Sequence, residues 1–137
     1  MKAKISWNGE ARFEAEADSH HTVLMDGPPE HGGKNSGPRP MEMILMGIGG
    51  CAAFDVVHIL KKGHQSIVSC DAQVEAVRSD EVPAVFTKIH LHFKVSGDDI
   101  KENIVRNAVK LSAEKYCSAS IMLSKGGVEI THSFELI

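Results

Sequence analysis

The sequence predicts an α+β protein folded as a single domain over residues 1–137, and three observations lead there. Short runs near the N-terminus and again beyond Ser66 alternate polar and apolar residues, the period of half-buried strands. Between them, Pro40 to Leu60 is the most apolar stretch of the chain and is too long for a strand. The chain length of 137 residues suffices for one core and leaves room for an obligate oligomer.

In chain order, Lys2–Asn8 and Ala11–Ala17 read as two strands joined at Asn8-Gly9, a strong hairpin signal. Thr22–Met25 reads as a third. Asp26 to Pro40 is dense in Gly and Pro, so it is expected to be a mobile loop that delivers Pro40 to the first turn of a helix and borders its pocket. That helix runs to about Lys62, where Lys61 and Lys62 suit the C-terminal dipole and Gly63 supplies the stop. Nearly every position before Lys61 is apolar, which predicts a helix covered on several sides. One subunit of this size offers little such cover, so the folded unit is expected to be a dimer.

Ser66–Val77 and Ala84–Val95 read as two long strands. In the second, Ile89, Leu91, Phe93 and Val95 share a core face, while Lys88, His90, His92 and Lys94 share a wet one. A second helix is expected to start at Asp98 or Asp99, with an inner stripe of Ile104, Val105, Ala108 and Leu111. A break at 115–118, a short apolar segment at 120–123 and a final strand at 128–137 complete the order β-β-β-α-β-β-α-β.

Charge narrows the function. A net charge of −3 and a pI near 6.2 give no electrostatic footprint for nucleic acid or an anionic membrane. The N-terminus alternates where a signal core would be continuous, and Gly, Asp55 and His58 interrupt the apolar helix, so a cytoplasmic protein with no membrane span is expected. The cysteine count is three, an odd number without short-range pairing, which favours free or redox-active thiols over a structural framework.

The chemistry-bearing residues centre on Cys51. Gly47, Gly49 and Gly50 precede it, each costing roughly 1 kcal/mol in a helix interior, so a close approach is expected at that turn. On an ideal helix Ile44, Cys51, Asp55 and His58 fall in one stripe, within about 60 degrees of one another. Asp55 has His58 available at i+3, as a satisfied core pair or as part of a site. Cys70 lies in a strand without a cation or helix dipole nearby and reads as structural. No metal site is expected, because His20-His21 is adjacent instead of chelate-spaced, His90 and His92 share a face with lysines, and no CxxC or HExxH occurs.

Pro40-Met-Glu-Met-Ile-Leu-Met-Gly-Ile-Gly-Gly-Cys51 resembles the helix Pro-Glu-x-Leu-x-x-Ala-x-x-x-Cys of the OsmC/Ohr family of osmotically inducible and organic hydroperoxide resistance proteins. Ala113-Glu-Lys-Tyr-Cys117-Ser resembles that family's second cysteine segment, and the likeness is strongest to its YhfA-like branch. The resemblance implies central helices wrapped by antiparallel sheets in an intertwined homodimer, with sites at the interface. It also implies reduction of organic hydroperoxides. Cys51 would become a sulfenic acid that Cys117 resolves as a disulfide, and a dithiol reductant would restore both without cofactor or metal. Two positions depart from the family pattern. Its Glu directly follows the Pro, where this chain has Met41; Glu42 is displaced by one, about half a turn round and roughly 13.5 Å along the helix from Cys51. Its activating Arg has Arg12 and Arg39 as candidates by proximity. A non-enzymatic binding or redox-sensing protein, using the same apolar interface pocket, is the competing reading.

Overall fold

The computed structural model describes all residues 1–137, which form two compact units, Met1–Ile44 and Leu45–Ile137. The first unit is a meander of three antiparallel strands, β1 (Ala3–Trp7), β2 (Arg12–Ala17) and β3 (Thr22–Asp26). The Asn8-Gly9 hairpin forms as expected, with Gly9 at φ 83° and the Trp7 indole N–H donating to the Glu10 carbonyl at 2.9 Å. Register places Trp7, Phe13 and Met25 in one cross-strand row and Ile5, Ala15 and Val23 in the next, all on one face. Within its own unit that face stays open: Trp7 is 69% exposed and Ile5 55%.

The loop after β3 is more ordered than its Gly and Pro content predicts. The buried Asp26 carboxylate accepts from the Lys34 amide at 2.9 Å, the Ser36 amide at 3.2 Å and the Ser36 hydroxyl at 2.7 Å. These bonds stabilise the charged form and hold its pKa down to about 2, the Ser36 hydroxyl contributing most and the Lys34 amide next. Gly37 lies so close to β3 that a Cβ there would collide with the Leu24 carbonyl.

α1 (Pro40–Lys62) begins and ends where the sequence predicts. Its burial within the chain is one-sided: Ile48, Gly49, Ala52, Val56 and Leu60 are buried, while Ile44, Met46 and Phe54 are exposed. The expected all-round cover is therefore not supplied by this chain alone. The helix is long and apolar enough to cross a membrane by length and composition, with a mean hydropathy of 1.9, a property shared by core helices of this kind.

The second unit holds β4 (Ser66–Arg78), β5 (Phe86–Asp98), α2 (Glu102–Leu111), a π-helical turn (Ser112–Tyr116), α3 (Ser118–Lys125) and β6 (Glu129–Leu136). β4 and β5 are antiparallel, and Ile89, Leu91, Phe93 and Val95 of β5 are buried as their alternation requires. On the opposite face, His90 and His92 engage Thr131 and Ser133 hydroxyls at 2.7–2.8 Å. β6 corrects the expectation of wholly antiparallel sheets, because it pairs with β5 in parallel. The helical segment between them is a crossover that returns the chain to the same end of the sheet, whereas an antiparallel partner would have needed only a hairpin.

α2 also starts later than expected. β5 continues through Asp98, Asp99 takes a left-handed φ of 51°, and Lys101 occupies the N-cap, its amide donating to the Gln65 side chain at 3.0 Å. Val105, Ala108 and Val109 form its buried stripe, with Ile104 and Leu111 at the flanks.

Candidate functional site

The regular spacing of α1 puts Cys51 and Asp55 four residues apart on one face, and the irregularity after α2 brings Cys117 to them. In the π turn, the Cys117 amide donates to the Ser112 carbonyl at 2.8 Å, a bond one residue longer than an α-helical one. The Ser112 hydroxyl is buried and donates to the Ala52 carbonyl at 2.9 Å, tying the turn to α1 beside Cys51. Cys117 then leaves the helical region at φ −69°, ψ 104° and caps α3, its Sγ accepting from the Ser120 amide at 3.4 Å.

The Cys51 Sγ, the Cys117 Sγ and an Asp55 carboxylate oxygen all lie within 4.8 Å of one another. Both thiols are free. Cys51 is half-buried and Cys117 fully buried, so of the two sulfurs Cys51 is the more accessible to a small molecule. Burial pushes the Cys117 thiol above its ordinary pKa, and the neighbouring Cys51 sulfur pushes the same way. The Ser120 side chain and amide, facing the sulfur, pull it down, but burial is the largest effect. Cys117 is consequently a protonated thiol at neutral pH.

Asp55 is also displaced from ordinary behaviour. Burial raises its pKa against a smaller lowering from His58, and its Oδ2 is buried without a hydrogen-bond partner. The satisfied Asp55–His58 pair foreseen from their i+3 spacing does not form. His58 stacks on Phe54 instead, with ring centroids 6.1 Å apart and planes within 5°. Asp55 also lines a cleft of about 450 Å³, together with His58, Ile59, Lys62, Leu111 and Tyr116.

Cys70 stands in β4 opposite Val95, half-buried, its pKa raised by burial and then by Asp71, as suits an inert thiol. Of the other candidates, Glu42 accepts from the Arg39 amide at 3.0 Å at the start of α1, a capping role. The Arg39 guanidinium donates to Asn35 Oδ1 at 3.0 Å and the Gly37 carbonyl at 3.3 Å. Arg12 keeps a buried Nε without a hydrogen-bond partner. The glycines before Cys51 divide: a Cβ at Gly49 would press on Val74 of β4 at 2.9 Å, the close approach expected there, while Gly47 and Gly50 face open space. Sequence reasoning missed Ser112 and Ser120. Their only signal was that small residues flank the predicted break on both sides.

Residues 33–133 match the family model described as OsmC, OsmC-like protein. The chain is 49% identical over 140 residues to Protein YhfA of Escherichia coli (strain K12), covering 100% of this chain and 98% of that protein. Its fold matches the crystal structure of the OsmC-like protein from Mycoplasma pneumoniae with a TM-score of 0.84 at 18% identity, covering 99% and 96% of the two chains. It matches OhrB of Bacillus subtilis, an organic hydroperoxide resistance protein, with a TM-score of 0.63 at 21% identity, covering 98% of each chain. At those identities the two structures establish the fold.

Proposed function

Because the chain belongs to the OsmC-like protein family, we propose that it reduces organic hydroperoxides through Cys51 and Cys117. The observation that carries this reading is the pairing of an accessible and a buried free thiol within 4.8 Å beside an open cleft. In the first step the Cys51 thiolate attacks the terminal peroxide oxygen. An S–O bond forms, the O–O bond breaks, and the departing alkoxide takes a proton to leave as the alcohol. Cys51 is then a sulfenic acid. In the second step the Cys117 sulfur attacks the Cys51 sulfur, surrendering its proton as hydroxide leaves; water is released and a disulfide forms. A dithiol then reduces the disulfide by two exchanges and is itself oxidised. Cys117 suits the second role because, protonated and buried, it competes poorly for peroxide and meets the sulfenic acid directly.

Asp55 has a role in this scheme that neither family motif supplies. Its carboxylate lies within 4.8 Å of both sulfurs and burial makes it a stronger base than an ordinary aspartate, so it can accept the Cys117 proton and return it to the departing oxygen. Glu42 and Arg39 hydrogen-bond to each other, and Arg39 to Asn35 and Gly37, around the start of α1, so the scheme is written without a part for either.

The reading includes a homodimer. About 100° per residue places Gly47, Gly50 and Phe54 together on the side of α1 opposite the buried Ala52 and Val56, with Cys51 between the two sides. A second copy packed on this open side would close the site from water. The test is peroxide consumption with cumene hydroperoxide and dithiothreitol or dihydrolipoamide. Cys51→Ser is expected to abolish turnover, Cys117→Ser to stop after one equivalent with Cys51 as the sulfenic acid or after two or three with Cys51 over-oxidised, and Cys70→Ser to leave the rate unchanged. No consumption by the unaltered protein, with Cys51 still a free thiol, would put the non-enzymatic binding reading ahead, and consumption that survives Cys51→Ser would contradict the role given to Cys51.

A further inference from the structure

We propose that the reduced protein binds one thiophilic divalent cation, such as Zn²⁺ or Cd²⁺, between Cys51, Asp55 and Cys117. Two sulfurs and a carboxylate oxygen are a donor set for borderline-soft cations, and the three come from two segments held together by the bond from Ser112 to the Ala52 carbonyl. The distances nearly fit. Tetrahedral coordination at about 2.3 Å to sulfur and about 2.0–2.2 Å to oxygen sets ligand atoms roughly 3.5–3.8 Å apart, so donors that all lie within 4.8 Å need close by only about 1 Å.

An independent observation points the same way. The Asp55 Oδ2 is buried without a hydrogen-bond partner, so an acceptor beside the two sulfurs is left unsatisfied in the resting chain. The Ser120 hydroxyl, also buried and unpartnered, belongs to the residue whose amide already donates to the Cys117 Sγ, so it lies where it can donate to a metal-bound thiolate. Three protein ligands leave a fourth position for water or a small thiol, the pattern of an open site. Sequence spacing hides this site, because its ligands combine an i, i+4 pair with a residue from a different segment.

Binding replaces the sulfur-bound protons by two S–metal bonds, and those protons pass to the buffer. No electrons move. The cation occupies both sulfurs, so metal binding and disulfide formation exclude each other: metal protects the thiols from peroxide, and oxidation releases the metal.

The experiment is anaerobic titration of the reduced full chain with Cd²⁺, following the sulfur-to-cadmium charge-transfer absorbance, and with Zn²⁺ against a chromophoric chelator. One equivalent per chain is expected, unchanged in Cys70→Ser and lost in Cys51→Ser. Asp55→Asn, which keeps size and removes the charged donor, is expected to weaken binding by at least the roughly 10- to 100-fold seen for outer-sphere partners. Wild-type protein alkylated with iodoacetamide or pre-oxidised to the disulfide is expected to bind none, which covers any variant that folds poorly. Absence of a charge-transfer band in the reduced protein, its persistence in Cys51→Ser, or an unchanged affinity in Asp55→Asn would each overturn the site. This proposal shares its thiols with the peroxidase reading but fails separately. Disulfide formation in chelator-treated protein tests only the peroxidase, and cadmium binding without peroxide tests only the metal.

Discussion

The sheet β4–β5–β6 buries one of its faces, with Leu91, Phe93 and Val95 of β5 closed to solvent, whereas the sheet β1–β2–β3 leaves Ile5, Trp7, Phe13 and Val23 exposed on its apolar face. Both sheets have three strands and both follow the same period-two alternation. The difference lies in what each unit provides as cover: the second has two helices between β5 and β6, and the first is a bare meander followed by a loop. Alternation says which face is apolar. It does not say where the covering surface comes from.

Three measurements test this difference between the two sheets. The largest effect is expected at the self-sufficient sheet, where Phe93→Ala removes a fully buried ring and should cost about 3–5 kcal/mol in denaturant unfolding. A loss under 1 kcal/mol would mean that the second unit does not carry the core. Next comes the bare sheet. Trp7→Glu with Phe13→Glu is expected to leave the circular dichroism intact yet yield a 14.9 kDa species in sedimentation, where the unaltered protein is expected to sediment as a dimer. An unaltered dimer in the variant would show that this face is not where a second copy packs.

The smallest effect concerns acid. Asp26 has a folded pKa depressed to about 2, so the stability it lends its loop is present above the ordinary unfolded value of about 3.9 and is lost as pH falls through about 2. Amide exchange at Lys34 and Ser36 should therefore accelerate on acidification through that window ahead of the amides of β4 and β5. Asp26→Asn should make those amides fast at neutral pH and remove the dependence. Equal protection of the two regions across the window would contradict the role assigned to the carboxylate.

Much of the fold was legible because local signals agreed. Pro40 and Gly63 marked the ends of α1, Asn8-Gly9 marked the hairpin, and the alternation from Ile89 to Val95 marked the buried face of β5. The parallel pairing of β6 was not legible, since a half-buried strand reads alike in either direction. Asp98 and Asp99 looked like helix caps but were claimed by the strand and by a left-handed turn.

The candidate site divides in the same way. The juxtaposition of Cys51 and Asp55 follows from helical spacing alone, but that spacing left the partner of Asp55 open, and the His58 it offered stacks on Phe54. The arrival of Cys117 depends on a π turn, where the period of 3.6 residues fails and spacing carries no information. The break expected at 115–118 and the resemblance of its surrounding segment singled it out. The tie through Ser112 and the buried Ser120 hydroxyl became visible only with the fold.

The central claim is that Cys51 and Cys117 act as a pair, and mass spectrometry of the protein after an organic hydroperoxide tests it most directly. Metal-free reduced protein treated with one equivalent of cumene hydroperoxide, alkylated and digested is expected to yield a peptide cross-link between Cys51 and Cys117 that dithiothreitol reverses, with Cys70 recovered as an alkylated thiol. Recovery of Cys51 as a free thiol under excess peroxide, or a cross-link through Cys70, would contradict the account.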